Sequence, residues 1–252
     1  MGPILSVDNL TKVFTRKGQP DFTAVNHISF AVEPGQCLGI IGESGSGKST
    51  AAAMITRLTD PTEGQIFLDG EDITRLKGRQ LKTAYQKMQM VFQTPTESFD
   101  PRHTLGDGIG ESLRNFGHCG AEVDRQVGEL LEQCGLPADF AKRYPHQVSG
   151  GQCQRAAIAR AIAIRPKLLI CDEATSALDV TIQTEILALL SELRQELNLS
   201  ILFICHDIAL VQQFCDWLLV MYRGGIVEEG VPDEVIRNPR NDYTKRLIES
   251  IL

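Results

Sequence analysis

Leu5 and Val7 alternate with polar neighbours, and Ile28, Phe30 and Val32 repeat the same two-residue period, which predicts half-buried strands on either side of a charged, glycine-containing insertion at 16–21. The first 32 residues therefore read as an antiparallel edge layer. Cys37–Ile41 is an unbroken apolar run entering a glycine-rich turn and then an alanine-rich helix over 49–58, a strand–loop–helix unit. Residues 64–68 and 88–92 read as further strands. Val123, Val127, Leu130, Leu131 and Cys134 follow helical spacing, and residues 156–164 form a small-residue helical run, so a helical insertion is expected over about 94–165. Beyond it, apolar strands at 168–171 and 201–205 flank a helix over 182–196. That βαβ order demands a parallel sheet. Trp217–Tyr222 and 225–229 read as a hairpin joined at Arg223-Gly224, and 232–252 as one or two short amphipathic helices.

Composition narrows the class without changing this picture. With 252 residues, 42% hydrophobic and 23% charged, the chain is long enough for a substantial core and too apolar for disorder. Its apolar runs fall far short of a membrane-spanning helix, and its first residues lack a signal-peptide pattern, so it is expected to stay in the compartment where it is made. A formal charge of −7 argues against a protein that coats nucleic acid. The seven cysteines show no zinc-type spacing, and Cys37, Cys171 and Cys205 sit in strand-like runs where free thiols behave as small buried hydrophobes. A reducing compartment fits them.

Candidate chemistry begins at Gly42-Glu43-Ser44-Gly45-Ser46-Gly47-Lys48-Ser49, a complete G-x-x-x-x-G-K-S phosphate loop between a strand and a helix. Its glycines let backbone N–H groups turn inward around phosphate oxygens, and the helix that follows points its positive end at them. Lys48 supplies a point charge for the β- and γ-phosphates, Ser49 a hydroxyl for Mg²⁺, and Thr50 continues the same first helical turn. A second half-site stands at the end of a buried strand, Leu168-Leu169-Ile170-Cys171-Asp172-Glu173. There Asp172 is the candidate Mg²⁺ ligand and Glu173 the candidate group that polarises an attacking water.

Between the two lies Val148-Ser149-Gly150-Gly151-Gln152, opening a helix. Alone, it is a helix cap with Ser149 as the capping hydroxyl. In this order it resembles the LSGGQ signature of ATP-binding-cassette (ABC) ATPases, with Val148 in place of the first Leu. The resemblance spans essentially the whole chain. It implies an α/β phosphate-loop NTPase fold, with a RecA-like core of mainly parallel sheet, an antiparallel β layer and an inserted helical subdomain. A single domain over 1–252 would divide into core and β layer (1–93 and 166–231), helical subdomain (94–165) and a short helical tail (232–252).

The same resemblance implies further roles. Phe14 would stack on adenine, its alternative being a core aromatic of the first strand. Gln93 would sense Mg²⁺ and the attacking water, Ser176-Ala177-Leu178-Asp179 would run along a dimer seam, and His206 would contact the γ-phosphate. Ser149, Gly150, Gly151 and Gln152 would meet ATP held on the phosphate loop of a second subunit. The implied enzyme is an ATPase using ATP and Mg²⁺, with two nucleotides closed between two cassettes.

Finer matches point to the importers of oligopeptides, dipeptides and nickel or metal chelates: Val91-Phe92-Gln93 followed by Ser98-Phe99-Asp100-Pro101-Arg102, then Tyr144-Pro145-His146, then Asn238-Pro239 and Asp242-Tyr243-Thr244-Lys245. Cys153 and Thr94 depart from that pattern. Many members carry a C-terminal cysteine cluster, and with the sequence ending at Leu252 no iron–sulfur cluster is expected. The implied partners are a second cassette, different or identical, a separate membrane permease met by 94–102, and an extracytoplasmic binding protein. The chain would then sit peripherally on the cytoplasmic face of the inner or plasma membrane. The cargo, whether peptide, nickel or metallophore, stays open, and so does the alternative of a soluble cassette acting on nucleic acid or the translation machinery.

Overall fold

The computed structural model describes residues 2–15, 18, 20–96, 98–176 and 178–249. Parts of the insertion at 16–21, Glu97 of the 94–102 segment, Ala177 of the Ser176–Asp179 loop and Leu252 lie outside the described residues. Strands β1 (Leu5–Phe14) and β2 (Phe22–Val32) pair antiparallel, from Leu5 opposite Val32 to Phe14 opposite Phe22. After β3 (Cys37–Ile41) and α1 (Lys48–Ile55), strands β4 (Glu63–Leu68) and β5 (Glu71–Asp72) complete a four-stranded sheet in the order β2-β1-β4-β5. This is the expected edge layer.

The main sheet is built from strands far apart in the chain. Helix α2 (Gly78–Lys87) leads into β6 (Met88–Val91), and three helices follow before the next strand: α3 (Leu105–Asn115), α4 (Ala121–Gln133) and α5 (Gly150–Ile162). Then come β7 (Leu168–Asp172), α6 (Val180–Leu197), β8 (Ser200–Ile204), α7 (Ile208–Phe214), the hairpin β9 (Trp217–Tyr222) and β10 (Gly225–Gly230), and the closing helices α8 (Pro232–Arg237) and α9 (Asp242–Glu249). The six-stranded order is β10-β9-β3-β8-β7-β6, parallel at every pairing except the β9–β10 hairpin.

The unbroken apolar runs of β3, β7 and β8 have a direct cause. Successive side chains point to opposite faces, and both faces are covered. Leu38, Ile40, Leu168, Ile170, Leu202 and Ile204 pack toward α1 and the antiparallel layer. Cys37, Ile41, Leu169, Cys171, Ile201 and Phe203 pack toward α5, α6 and the rest of the helical insertion. Two cores therefore clamp one sheet and hold its edges in place. Cys37, Cys171 and Cys205 are buried free thiols, as the sequence indicates.

Two differences from the sequence reading stand out. Helices α2 and α7 were not expected; α2 buries only Ala84 completely, so its apolar stripe of Leu81, Ala84 and Tyr85 is thin. Phe99, within the 94–102 segment expected to meet the permease, is 4% exposed and packs in this chain's own core. The Arg160 guanidinium lies 4.4 Å from its ring centroid and also donates to the Ser98 carbonyl, so this segment is pinned to α5. Among the described residues no helix is long and apolar enough to cross a membrane.

Candidate nucleotide site

Open parallel sheets bind ligands beyond the carboxyl ends of their strands. In this sheet β3, β8, β7 and β6 are consecutive neighbours, and each is followed at that end by one candidate segment: Gly42–Ser49 after β3, His206 after β8, Asp172 and Glu173 at β7, and Gln93 after β6. The order of strands thus gathers residues scattered over more than half the sequence.

The phosphate loop is shaped by two glycines that nothing larger could replace. At Gly42 a Cβ would come 2.2 Å from the Met221 carbonyl oxygen; at Gly47, with φ +108°, it would come 2.5 Å from the Ala24 carbonyl oxygen. Gly45, with φ +81°, faces open space, leaving room before its backbone, and Ser44 beside it is exposed. The loop closes on itself through Ser46 N–H to the Glu43 carbonyl at 3.1 Å and is tied to the hairpin by Gly224 N–H to the Ser46 carbonyl at 2.9 Å. Lys48 is 4% exposed, and its Nζ donates to the carbonyls of Gly42 at 2.6 Å and Glu43 at 3.0 Å. Burial lowers its pKa below the usual lysine value, opposed by Glu173, Cys205 and Asp172. An ammonium held this way, with three carboxylate or thiol groups around it, is set to exchange carbonyl for phosphate oxygens.

Opposite it, Ser49 Oγ donates to Asp172 Oδ1 at 3.1 Å. Burial pushes the Asp172 carboxyl up, with Glu173 adding to the rise and Ser49 and Lys48 opposing it. Among the described residues no group of three or more His, Cys, Asp and Glu side chains could hold a metal by itself. One hydroxyl and one half-buried carboxylate are, however, the partial oxygen set that Mg²⁺ completes with water and substrate phosphates, and a cation there would relieve the desolvation of Asp172. The residues fit the ion.

Glu173 sits in the left-handed region at φ +48°, unusual for a non-glycine residue, with its N–H on the Ile204 carbonyl at 2.9 Å. Its Oε2 accepts from Gln93 Nε2 at 3.0 Å and lies 3.7 Å from His206 Nδ1. Gln93 Nε2 also approaches Ser176 Oγ at 3.4 Å, and that hydroxyl donates to the Glu173 carbonyl at 3.0 Å. Gln93 and His206 are exposed, so the cluster opens to solvent on the side where a phosphate would enter.

The remaining candidates are placed elsewhere. Phe14 closes β1 at 40% exposure, opposite Phe22, with Lys12 Nζ 5.1 Å from its ring centroid; it is no core aromatic. Ser149 caps α5, accepting from the Gln152 N–H at 3.3 Å while Gln152 Oε1 accepts from the Ser149 N–H at 3.0 Å. Gly150 and Gly151 begin α5, and Asp179 caps α6 by accepting from Ile182 N–H at 3.0 Å. Among the described residues no hydrogen bond joins Ser149, Gly150, Gly151 or Asp179 to this chain's phosphate loop. A Cβ on Gly151 would meet Ile182 Cγ2 at 2.7 Å, so these two helix starts touch each other instead. Sequence reasoning gave Tyr243 no role at the site, yet its hydroxyl accepts the Glu43 N–H at 2.9 Å; its aromatic character within a polar tail was the available signal.

Sheet, loop and acidic strand end define a phosphate-loop nucleotide-binding cassette. Residues 25–176 match the family model described as ABC transporter. The chain is 43% identical to the probable peptide ABC transporter ATP-binding protein y4tS of Sinorhizobium fredii, over 97% of this chain and 71% of that protein. To the oligopeptide transport ATP-binding protein AppF of Bacillus subtilis it is 45% identical, over 92% and 71%. Among solved structures, the ATP-binding cassette MJ0796, a dimer in a post-hydrolysis state bound to ADP and Pi, matches with a TM-score of 0.82 at 30% identity, covering 90% of this chain and 98% of that one. The chain belongs to the ABC transporter family.

Proposed function

We propose that this chain is the ATP-hydrolysing subunit of an importer that takes up peptides through a separate membrane permease. The observation that carries the reading is the meeting of Gln93 and His206 on one oxygen of Glu173, beside Lys48, Ser49 and Asp172. The loop amides and Lys48 would cradle the β- and γ-phosphates, and the exposed Phe14 ring would stack on the base. Ser49, Asp172 and the Gln93 amide oxygen would hold Mg²⁺, which when bound neutralises charge on the phosphates. Glu173 orients the water, kept in one geometry by Gln93; His206 donates toward the γ-phosphate.

Half of the anion donors, at Ser149, Gly150 and Gly151, are at an α5 N-terminus that makes no hydrogen bond to this chain's own loop. Two cassettes facing each other would join each loop to the other's α5 start, a reading supported by the dimeric MJ0796 cassette. Whether the second cassette is a different chain or a copy, the same pairing applies. Division into a core with its β layer (1–93 and 166–231), a helical lobe (94–165) and a tail (232–252) fits these placements.

A cleft of 670 Å³ between α2, β6 and α3 exposes Leu58 and Phe92, with Tyr85, Met90 and Phe116 along its walls. It adjoins Ser98 of the pinned 94–102 segment, which supports that segment as the permease contact and the chain as a peripheral subunit on the cytoplasmic membrane face. Peptide cargo rests on the relatives' names, and glutathione import is named for a further one, GsiA of Pectobacterium atrosepticum. Nickel and nucleic acid have no comparable support among them. Coexpression with the candidate permease and binding protein, followed by ATPase assay in liposomes, tests the reading: peptide-loaded binding protein should stimulate turnover. Stimulation by DNA or RNA alone would refute it.

A further inference from the structure

One peptide unit of the phosphate loop, that joining Gly42 to Glu43, is gripped from both ends. Its carbonyl accepts from Lys48 Nζ at 2.6 Å, and its N–H donates to the Tyr243 hydroxyl at 2.9 Å. Lys48 opens α1, whereas Tyr243 belongs to the last helix, α9. The tyrosine is no loose surface group. It is 4% exposed, and its ring lies on Tyr222 with centroids 4.1 Å apart and planes at 24°. Tyr222 immediately precedes the Arg223-Gly224 turn, and Gly224 holds the Ser46 carbonyl. Both arms of the loop are thereby tied to one corner of the molecule.

Helix α9 is itself fixed to β10. Glu228 accepts the N–H groups of Arg240 at 2.7 Å and Asn241 at 3.0 Å, and Asn241 Oδ1 accepts the Tyr243 N–H at 2.8 Å. Burial pushes the phenol's pKa up, so the hydroxyl stays protonated with a lone pair free to accept. Phosphate oxygens compete with the Gly42 and Glu43 carbonyls for Lys48. Once Lys48 turns to them, the Tyr243 hydroxyl is the grip that remains on this peptide.

We propose that Tyr243 is a positioning residue for the nucleotide: by holding the Glu43 amide it presets the loop, so that ATP affinity depends on a docked C-terminal helix. The proposal rests on the reading of residues 42–49 as the ATP site. A loop ordered before binding loses less freedom on binding, which raises affinity without touching the chemical step.

Tyr243→Phe keeps the ring and its stacking and deletes only the hydroxyl. ATP binding to the full chain is measured by isothermal titration for the parent, Tyr243→Phe and Lys48→Ala, together with amide exchange at Glu43 and thermal unfolding without nucleotide. Tyr243→Phe should weaken ATP binding about two- to tenfold, the range of one neutral hydrogen bond, and speed exchange at Glu43. In the assembled transporter KM for ATP should rise by the same factor with kcat changed by less than about twofold. An unchanged Kd in Tyr243→Phe, whatever the unfolding midpoint does, overturns the proposal and leaves the ATP-site reading standing. A parent that binds no ATP, or a Lys48→Ala variant that binds as the parent does, overturns both.

Discussion

Gln93 Nε2 donates to Glu173 Oε2 at 3.0 Å across two neighbouring strand ends, joining residues 80 positions apart in the chain. Among the described residues no hydrogen bond is made to the carboxylate's other oxygen, which can accept from a water. Glu173 itself sits in a backbone conformation that glutamate rarely adopts, with its N–H on the Ile204 carbonyl. Replacing Glu173 by Gln preserves shape and removes the charge that polarises the water. Glu173→Gln should bind ATP at parental affinity while turnover falls about 10²- to 10⁴-fold, and ATP should hold two cassettes together long enough to elute as a dimer in gel filtration. Hydrolysis at the parental rate would place the base elsewhere.

His206 is exposed, and among the described residues it approaches the machinery at Glu173 Oε2, 3.7 Å from its Nδ1. Its removal leaves the loop and Lys48 intact. His206→Ala should therefore keep ATP affinity within about twofold and cut turnover about ten- to a hundredfold, the loss of one hydrogen bond to a charged transition state. Equal losses in binding and turnover would mean that the residue supports the fold rather than the reaction.

Asp172 carries a stability cost with a definite sign. Burial raises its folded-state pKa above the ordinary 3.8, so the folded chain binds more protons than the unfolded chain in the window just above that value. Its contribution to stability is therefore best at low pH and declines as pH rises through the raised folded value. Without nucleotide or Mg²⁺, Asp172→Asn should melt above the parent at pH 7, with the gap closing toward pH 3, and should not hydrolyse ATP. A lower melting temperature at pH 7 would contradict the burial account.

Gly47 has φ +108° and the Ala24 carbonyl oxygen 2.5 Å from where a Cβ would sit. Both obstacles are backbone, which cannot swing aside. Gly47→Ala should lower stability by about 1–3 kcal/mol in denaturant titrations and abolish measurable ATP binding. By contrast, Gly45→Ala meets no atom within 4 Å and is strained only by its φ of +81°, so its loss of stability should be the smaller of the two.

How much of this was legible beforehand depended on whether the signal was local. The apolar runs of β3, β7 and β8 declared a sheet covered on both faces, and the glycine spacing at 42–49 declared the phosphate loop. Motif order named Gln93, Glu173 and His206, but no pattern along the chain states that two of them meet on one oxygen of the third. That follows from the strand order β8-β7-β6, which pairing alone establishes. Helix α7, seven residues long, was too short for a periodic signal, and α2 too polar. The burial of Phe99 left no local signal because its partners, Arg160 and Gly108, lie in α5 and α3. The Tyr243–Glu43 contact spans 200 positions, and the tail motif that contains Tyr243 does not say what its hydroxyl holds.

The 2.7 Å separation between Ile182 Cγ2 and the place of a Gly151 Cβ leaves no slack between the starts of α5 and α6. The serine-capped turn at 149–152 and the aspartate-capped turn at 179–182 are therefore in direct contact. A neighbouring cassette that pushed on Asp179 would press, through Ile182, on the turn that begins at Ser149. Each of the two nucleotides in a paired assembly would then register what happens to the other through these packed side chains.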